Sequence, residues 1–107
     1  MEKKILYINT KDVDKVRGVH TLALLRKVKI LSAPPEELKE LPEDAELLKF
    51  IGFSSNEVGQ FLQDMRKLGL RVDLKCMETE HNKDWSLKVL HKELMEEHAF
   101  MKGEQKK

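Results

Sequence analysis

The chain has 107 residues, of which 40 % are hydrophobic and 36 % charged, and its formal net charge is +1. This size and balance predict one folded α+β domain over residues 1–102 with a frayed tail at 103–107, and they exclude a largely disordered chain. The single cysteine excludes an internal disulfide bond, which suits a reducing compartment. Because no apolar run approaches the length of a membrane span, we expect a cytoplasmic protein with no membrane partner.

Charge is unevenly distributed along the chain. Residues 1–32 carry a net charge of +5, and residues 33–46 carry a net charge of −5. A protein dedicated to nucleic acid usually has a stronger overall basic excess. A local basic face on the first third remains compatible with these charges, but the balance as a whole argues against nucleic acid as a partner.

The first half of the chain alternates between strand-like and helix-like patterns. Residues 4–9 form a short apolar run that predicts a buried strand, and residues 12–27 place apolar side chains at helical spacings. Gly18 is a weak point in that helix. Residues 28–33 return to strand character, and a Pro-Pro pair then ends the strand before an acidic connector.

The second half repeats this alternation with clearer boundaries. Residues 47–53 predict a second strong strand. Ser54 and Glu57 have the spacing of a capping box, in which each side chain accepts a bond from the other's backbone N–H. Gly69 is a natural C-terminal cap for the helix that follows. Residues 71–77 alternate apolar and charged side chains, which is typical of an antiparallel or edge strand.

The predicted order is strand, helix, strand, connector, strand, helix, strand and helix. The two halves resemble each other at the helix end and the following strand (LLRKVKILSAP against MRKLGLRVDLKCM), which favours an internal repeat. Two right-handed βαβ crossovers that interleave form a four-stranded antiparallel sheet with two helices on one face. We therefore predict an α+β fold of ferredoxin-like order, βαββαβ, with an added C-terminal helix. That helix must cover a sheet edge, the open sheet face or a partner.

The added helix is predicted from about residue 84 to residue 101, with one apolar face. Asn82 or Asp84 precedes it at a position suited to cap its first turn. Trp85, the single tryptophan, is expected to close one end of the core.

Recognisable metal-binding and catalytic patterns are missing from the sequence. His91 and His98 are seven residues apart, roughly 10 Å along a helix, whereas two helical ligands of one ion need i,i+4 spacing. Cys76 and His81 match no zinc spacing, and Cys76 is predicted to face the core, where thiols are inert. There is no Gly-rich phosphate loop and no GxSxG motif. We therefore expect no metal, no cofactor and no catalytic residue, and enzymatic activity is the less favoured interpretation.

Aromatic residues on the predicted central strands raise the question of RNA binding. A sheet of this kind stacks bases on such side chains, and Tyr7, Phe50 and Phe53 lie on the first and third predicted strands. The basic-Gly-aromatic start of the RNA-recognition strand is missing from residues 49–53. Core packing of Phe50 and a hydrophobic staple at Phe53 explain the same residues, so RNA binding is not favoured.

The segment LKCMETEHNKDWSLKVLHKELMEEH, residues 74–98, resembles the signature of a known family of small bacterial proteins, the domain of unknown function 3783 family. The family pattern is a Lys on the last strand, a Thr, then Asn-x-x-Trp-[Ser/Thr]-Leu, and a helix that ends Glu-Leu-x-x-Glu-His. The matching residues here are Lys75, Thr79, Asn82, Trp85, Ser86, Leu87, Glu93, Leu94, Glu97 and His98. A proline of the pattern next to Thr79 is replaced in this chain by the pair Glu80 and His81.

The resemblance implies a recurring local structure and no established activity. It implies a cluster where the last strand meets the last helix, formed by Lys75, Thr79, Asn82 and Trp85, with His98 as a further candidate. In a structural interpretation, Asn82 and Thr79 order the turn and Trp85 fills the core, while His98 pairs with the backbone or with Lys75. In a functional interpretation, the junction is a small polar pocket for an anionic ligand, with positive potential from Lys75 and the helix N-terminus.

Taken together, the sequence favours a non-enzymatic protein-interaction or regulatory module. Its expected partner is a second copy of the chain or an unidentified protein, and five methionines suit an adaptable contact surface. The alternative is a subunit that binds a small anionic ligand, or an enzymatic subunit, that uses the junction of the last strand and the last helix.

Overall fold

A computed structural model describes residues 2–105 of the chain, and for residues 100–105 it describes the backbone only. The strands of this part are β1 (Lys4–Asn9), β2 (Lys29–Leu31), β3 (Glu46–Ile51) and β4 (Lys75–Met77). Its helices are α1 (Val13–Leu25), α2 (Pro35–Leu38), α3 (Ser55–Lys67) and α4 (Leu87–Gln105). The predicted order of elements is confirmed, and α2 is the single helical turn inside the acidic connector.

The four strands form one mixed sheet with the order β2-β1-β3-β4. β1 and β2 are parallel, β3 and β4 are parallel, and β1 pairs with β3 in the antiparallel sense. The α+β class is therefore correct, but the predicted ferredoxin-like, all-antiparallel sheet is wrong. Both topologies share the element order βαββαβ. They differ in whether each crossover skips a strand, and here each crossover returns directly beside its own first strand.

The two βαβ units are a structural repeat. β3 and α3 lie 42 positions after β1 and α1 at both ends of each element, so that Lys4 corresponds to Glu46 and Val13 to Ser55. The residues that cap the two helices, Asp12 and Ser54, have the same separation. This arrangement explains why the two halves of the sequence resemble each other.

Both long helices of the repeat end in the same backbone motif. Lys27 after α1 and Gly69 after α3 have positive φ values of 58° and 73°. The following residue then bonds back to the helix in each unit, over 2.8 Å from Val28 N–H to the Ala23 carbonyl and over 2.9 Å from Leu70 N–H to the Met65 carbonyl. This is the Schellman arrangement, and it confirms the predicted C-terminal cap at Gly69.

The start of α3 is the predicted capping box. The Ser54 hydroxyl accepts a hydrogen bond from Glu57 N–H at 3.2 Å, and the Glu57 carboxylate accepts one from Ser54 N–H at 2.9 Å. The bond from the Ser54 backbone is the main reason why the pKa of Glu57 is lowered, with a further contribution from Lys3. The chain therefore enters α3 with two of its free backbone donors satisfied.

Helices cover both faces of the sheet. α1 and α3 pack on one face, the α1/α3 face, over side chains such as Ile5 and Phe50. α4 packs on the other, the α4 face, where its apolar residues meet those of the sheet: Leu87, Leu90 and Leu94 against Ile8, Leu47 and Leu74. The last helix thus covers the open sheet face, which was one of the three predicted alternatives. Burial on both faces also explains the apolar run at residues 5–8 of β1 and the apolar residues on both sides of Lys49 in β3.

Gly18 has a packing role in this arrangement. A Cβ atom at Gly18 would lie 3.0 Å from the Leu70 Cδ2 atom. The missing side chain therefore lets α1 approach the segment that follows α3, which accounts for a glycine in the interior of a helix.

β4 differs from its prediction in length and direction. It is an edge strand as expected, but it is parallel to β3 and begins at Lys75 rather than at residue 71. Val72 packs on the α1/α3 face, whereas Leu74 and Cys76 pack on the α4 face, so one strand-like alternation does not run through the whole segment. Cys76 lies against the core as predicted, and burial raises the pKa of its thiol.

α4 begins at Leu87, later than predicted, and neither Asn82 nor Asp84 caps it. Ser86 accepts a hydrogen bond from Val89 N–H at 3.3 Å, and Glu37 of α2 accepts one from Leu87 N–H at 3.0 Å. The acidic connector thus supplies a carboxylate to the positive end of α4. The predicted frayed tail at 103–107 overlaps the end of this helix and runs past the described residues, so it stays a prediction.

In the described part of the chain, none of the helices has both the length and the apolar character needed to cross a membrane.

Candidate functional site

The turn after β4 is held by Thr79 and Asn82. Thr79 N–H donates to the Asn82 side-chain oxygen at 2.9 Å, and Asn82 N–H donates to the Thr79 hydroxyl at 3.2 Å. The Asn82 amide also donates to the Met77 carbonyl at 3.1 Å. These contacts correspond to the structural interpretation of the family motif, in which both side chains order the turn.

Trp85 lies close to this turn. Its backbone N–H donates to the Asn82 carbonyl at 3.1 Å, and its half-buried ring packs against the apolar cluster on the α4 face. The His81 ring meets it edge to face, with 5.1 Å between ring centroids. The structure therefore brings Thr79, Asn82 and Trp85 together, with Trp85 at the rim of the core.

Lys75 and His98 lie away from that turn. The Lys75 amine donates to the Val72 carbonyl at 3.0 Å, and its side chain lines a groove beside α3, whereas Cys76, its neighbour in β4, packs on the α4 face. His98 is half-buried on α4, and among the described residues no hydrogen bond or ion pair joins it to Lys75. The predicted cluster is thus divided between two faces of the sheet.

A groove lies beside Lys75, between α3 and the segment that leads into β4, and we call it the α3–β4 groove. Its volume is about 540 Å³, within the roughly 300–1,000 Å³ typical of ligand pockets. Its apolar lining comes from the C-terminal half of α3 and the segment that follows: Leu62, Met65, Leu70 and Val72. Three cationic side chains line it as well: Arg66, Arg71 and Lys75.

The groove occurs where the two repeats differ. The units correspond through Val28 and Leu70, after which the first enters β2 at once, whereas the second adds residues 71–74 before β4. This extra segment contributes Arg71 and Val72 to the groove. The α3–β4 groove is therefore a feature of the second repeat that its internal symmetry does not require.

The cations of the groove are open to solvent and weakly engaged. Arg71 lies 3.1 Å from Asp73, and both side chains are largely exposed, so the pair contributes little to stability. Arg66 is exposed in the last turn of α3, where a cation also complements the helix dipole. Lys75 is an exposed residue as well, and its amine makes one hydrogen bond, to the Val72 carbonyl. All three groups thus remain accessible to an anion.

Sequence reasoning selected Lys75 but missed Arg66 and Arg71. A signal was present, because the segment MRKLGLRVDLK is rich in basic residues, and one of them, Arg71, lies where the second half is longer than the first. The extra residues could be located only after the structure showed that Val28 and Leu70 are equivalent, since each bonds back to the helix before it.

The aromatic residues of the central strands have structural roles. Tyr7 and Phe50 are 7 % and 1 % exposed, and Phe50 packs edge to face against Phe53 and Phe61 with ring centroids 5.0 and 5.6 Å apart. Both helices of the α1/α3 face cover these rings, so the sheet offers no open aromatic platform there.

One cation, Lys49, is buried in the centre of the sheet. It is 6 % exposed, and its amine lies 3.7 Å from the Glu78 carboxylate, beside Cys76. Within the described part of the chain, no three His, Cys, Asp or Glu side chains gather in a group suited to hold a metal ion. Lys49 therefore belongs to the core on the α4 face and not to a candidate site.

Fold and site together define a class of protein: a duplicated βαβ sheet, covered by helices on both faces, with a basic groove beside its last strand. A family model described as Domain of unknown function (DUF3783) matches residues 46–101, which is slightly more than half of the chain. The chain therefore belongs to this family, as the resemblance of its last segment indicated. The matched part begins at β3 and contains the whole groove, but it leaves out the first repeat. No curated protein and no solved structure gives a significant match.

Proposed function

We propose that the chain is a non-enzymatic binding module, and that its contact site is the α3–β4 groove. Its partner combines a negative charge with an apolar part. The observation that carries this proposal is the presence of three accessible cations around one apolar floor in a groove of about 540 Å³.

The groove lining explains both why the ligand is negatively charged and why it has an apolar part. The exposed cations Arg66, Arg71 and Lys75 attract carboxylate or phosphate groups, and the arginines also offer paired N–H donors. The apolar floor gains free energy when it is covered, in proportion to the area removed from water. A small hydrophilic anion uses only the first feature, and a neutral hydrocarbon only the second.

This proposal changes the place of the anionic site and keeps its chemistry. The sequence suggested the junction of the last strand and last helix, where Asn82 and Thr79 bond to each other and to the backbone. Lys75 is the residue common to both sites. The reducing environment suited to a single cysteine favours action in the cytoplasm, and self-association stays part of the proposal.

The test is a titration of the full chain with decanoate, followed through backbone amide NMR signals. We expect saturable shifts at groove residues such as Leu62, Arg66 and Leu70. Decanol has only the apolar chain and inorganic phosphate only the negative charge, so both should bind more weakly than decanoate. Equal binding of decanol, or shifts confined to α4, would contradict the proposal.

A charge-matched pair of variants makes the test specific to the groove. Arg66→Gln combined with Lys75→Gln should weaken decanoate binding about tenfold, because two exposed ion pairs together contribute roughly 1.4 kcal/mol. The control combines Lys67→Gln with Lys88→Gln, two exposed lysines that do not line the groove. It removes the same net charge and should leave the dissociation constant within about twofold.

A further inference from the structure

We propose that the partner of the α3–β4 groove is an extended protein segment that adds to the free edge of β4 as a short strand. This segment places an apolar side chain on the groove floor and carboxylates beside the groove cations. The inference rests on the proposed function and names the class of its partner.

The backbone of β4 offers an unpaired edge. Leu48 N–H donates to the Leu74 carbonyl at 2.9 Å, and Glu78 N–H donates to the Phe50 carbonyl at 2.7 Å. In a parallel ladder, alternate residues of a strand face the same neighbour. Because Leu74 and Glu78 face β3, the backbone groups of Lys75 and Met77 point away from it, toward the open side of the sheet.

The family motif limits the length of this edge. The Asn82 amide already occupies the Met77 carbonyl, at 3.1 Å. Among the described residues, the outward backbone groups of β4 left without such a contact are the N–H and carbonyl of Lys75 and the N–H of Met77. Such an edge accepts only a short strand, and the turn at Asn82 protects the sheet from longer pairing.

The free edge and the groove meet at Lys75. Its backbone belongs to the edge, and its side chain lines the groove on the α1/α3 face. A strand added beside it directs alternate side chains to that face, because side chains alternate along a strand. Main-chain bonds then supply affinity, and the groove selects the side chains, as in other cases of strand addition. The positive rim of the groove selects acidic segments.

The experiment uses three forms of one probe, the blocked pentapeptide Asp-Thr-Leu-Thr-Asp, whose leucine and two carboxylates lie on the same face of an extended strand. One form is unmodified, one is N-methylated at the first, third and fifth amides, and one at the second and fourth. Methylation removes a backbone donor and adds bulk on one side of the strand only. We expect one methylated form to bind at least tenfold more weakly than the unmodified peptide, and the other to bind within about threefold of it. Binding is measured by NMR titration of the full chain.

The outcomes separate this inference from the proposed function. Equal affinity of both methylated forms, with shifts in the groove, would overturn strand addition and leave an anion-binding groove. Peptide forms that fail to bind while decanoate binds in the groove would also overturn the inference and indicate a small-molecule ligand. Failure of decanoate and all peptides to shift groove residues would overturn both proposals. A peptide with lysine in place of each acidic residue is the charge control, and it should not bind.

Discussion

Tyr7 shows how strongly one side chain depends on distant parts of the chain. Its hydroxyl donates to Glu46 and accepts a bond from the Asn9 amide at 3.0 Å, and Lys15 lies 2.8 Å from the same Glu46 carboxylate. These groups come from β1, β3 and α1. Burial, followed by the bond to Glu46, raises the pKa of Tyr7 well above its ordinary value of 10.0.

The raised pKa predicts a loss of stability at alkaline pH. A group with a raised folded pKa contributes stability that is complete below its unfolded pKa and is lost as pH rises toward the folded one. Tyr7 is the single tyrosine, so a rise in absorbance at 295 nm that comes from tyrosine ionisation can be assigned to Tyr7. We expect that absorbance to stay low above pH 10 while the fold persists, and to rise together with the loss of far-UV circular dichroism.

Two controls define the result for Tyr7. The chain unfolded in urea should titrate near the ordinary tyrosine value of about 10. The variant Tyr7→Phe should lose about 1 kcal/mol of unfolding free energy at neutral pH, since it leaves Glu46 with one donor fewer. Ionisation near pH 10 with native circular dichroism would show that the hydroxyl is not held as described.

The hydrogen-bond partners of single residues could be predicted from the sequence only where the two residues are near each other in the chain. The bonds between Ser54 and Glu57 span three positions and were predicted, and the bonds between Thr79 and Asn82 span three positions and match one of the two interpretations of the family motif. The bond from Tyr7 to Glu46 spans 39 positions, and no local pattern encodes it. The same limit explains the cap of α4, because Glu37 comes from 50 positions away.

At the scale of elements, the repeat provides a natural comparison between two helix ends. The position after the α1 cap is Lys27 and the equivalent after the α3 cap is Gly69, and both have left-handed backbone. A left-handed conformation is strained for a residue with a side chain and unstrained for glycine. The first repeat therefore contains a strained position that the second repeat avoids.

Exchange of these residue types should change stability in opposite directions. We expect Lys27→Gly to raise the free energy of unfolding by about 0.5–1 kcal/mol, because Lys27 is exposed and loses little packing. Gly69→Ala should lower it by about 1 kcal/mol, since an added Cβ there meets no atom within 4 Å and only the backbone conformation is penalised. Urea unfolding at neutral pH measures both changes. Changes of the same sign in the two variants would refute the equivalence of the two helix ends.

For the whole molecule, the position of α4 decides how the sheet is buried. Leu90 of α4 is 2 % exposed against the α4 face, whereas Met95 of the same helix is 50 % exposed. With α4 in place, both faces of the sheet are covered, and the outer strands β2 and β4 keep open edges. Binding through an edge is then the geometry that requires least rearrangement of the core.

Replacing a side chain by alanine should therefore have very different effects on the two sides of α4. Leu90→Ala is expected to lower the free energy of unfolding by about 2–5 kcal/mol, because it opens a cavity between helix and sheet. Met95→Ala, which removes a solvent-facing side chain, should change it by at most about 0.5 kcal/mol. Urea unfolding followed by Trp85 fluorescence provides the comparison. Similar effects of both changes would mean that α4 does not cover the sheet.

Local patterns predicted the elements, their order and the caps of α3, because these depend on contacts within a few residues. The apolar run of residues 4–9 likewise predicted the burial of β1, which the two covered faces explain. Three features could be read only from the folded chain: each crossover returns beside its own strand, α4 covers the second face of the sheet, and Arg66 and Arg71 meet Lys75 at one groove. These features depend on which distant surfaces pack together, and that choice is made by the free energy of the whole core rather than by any local pattern.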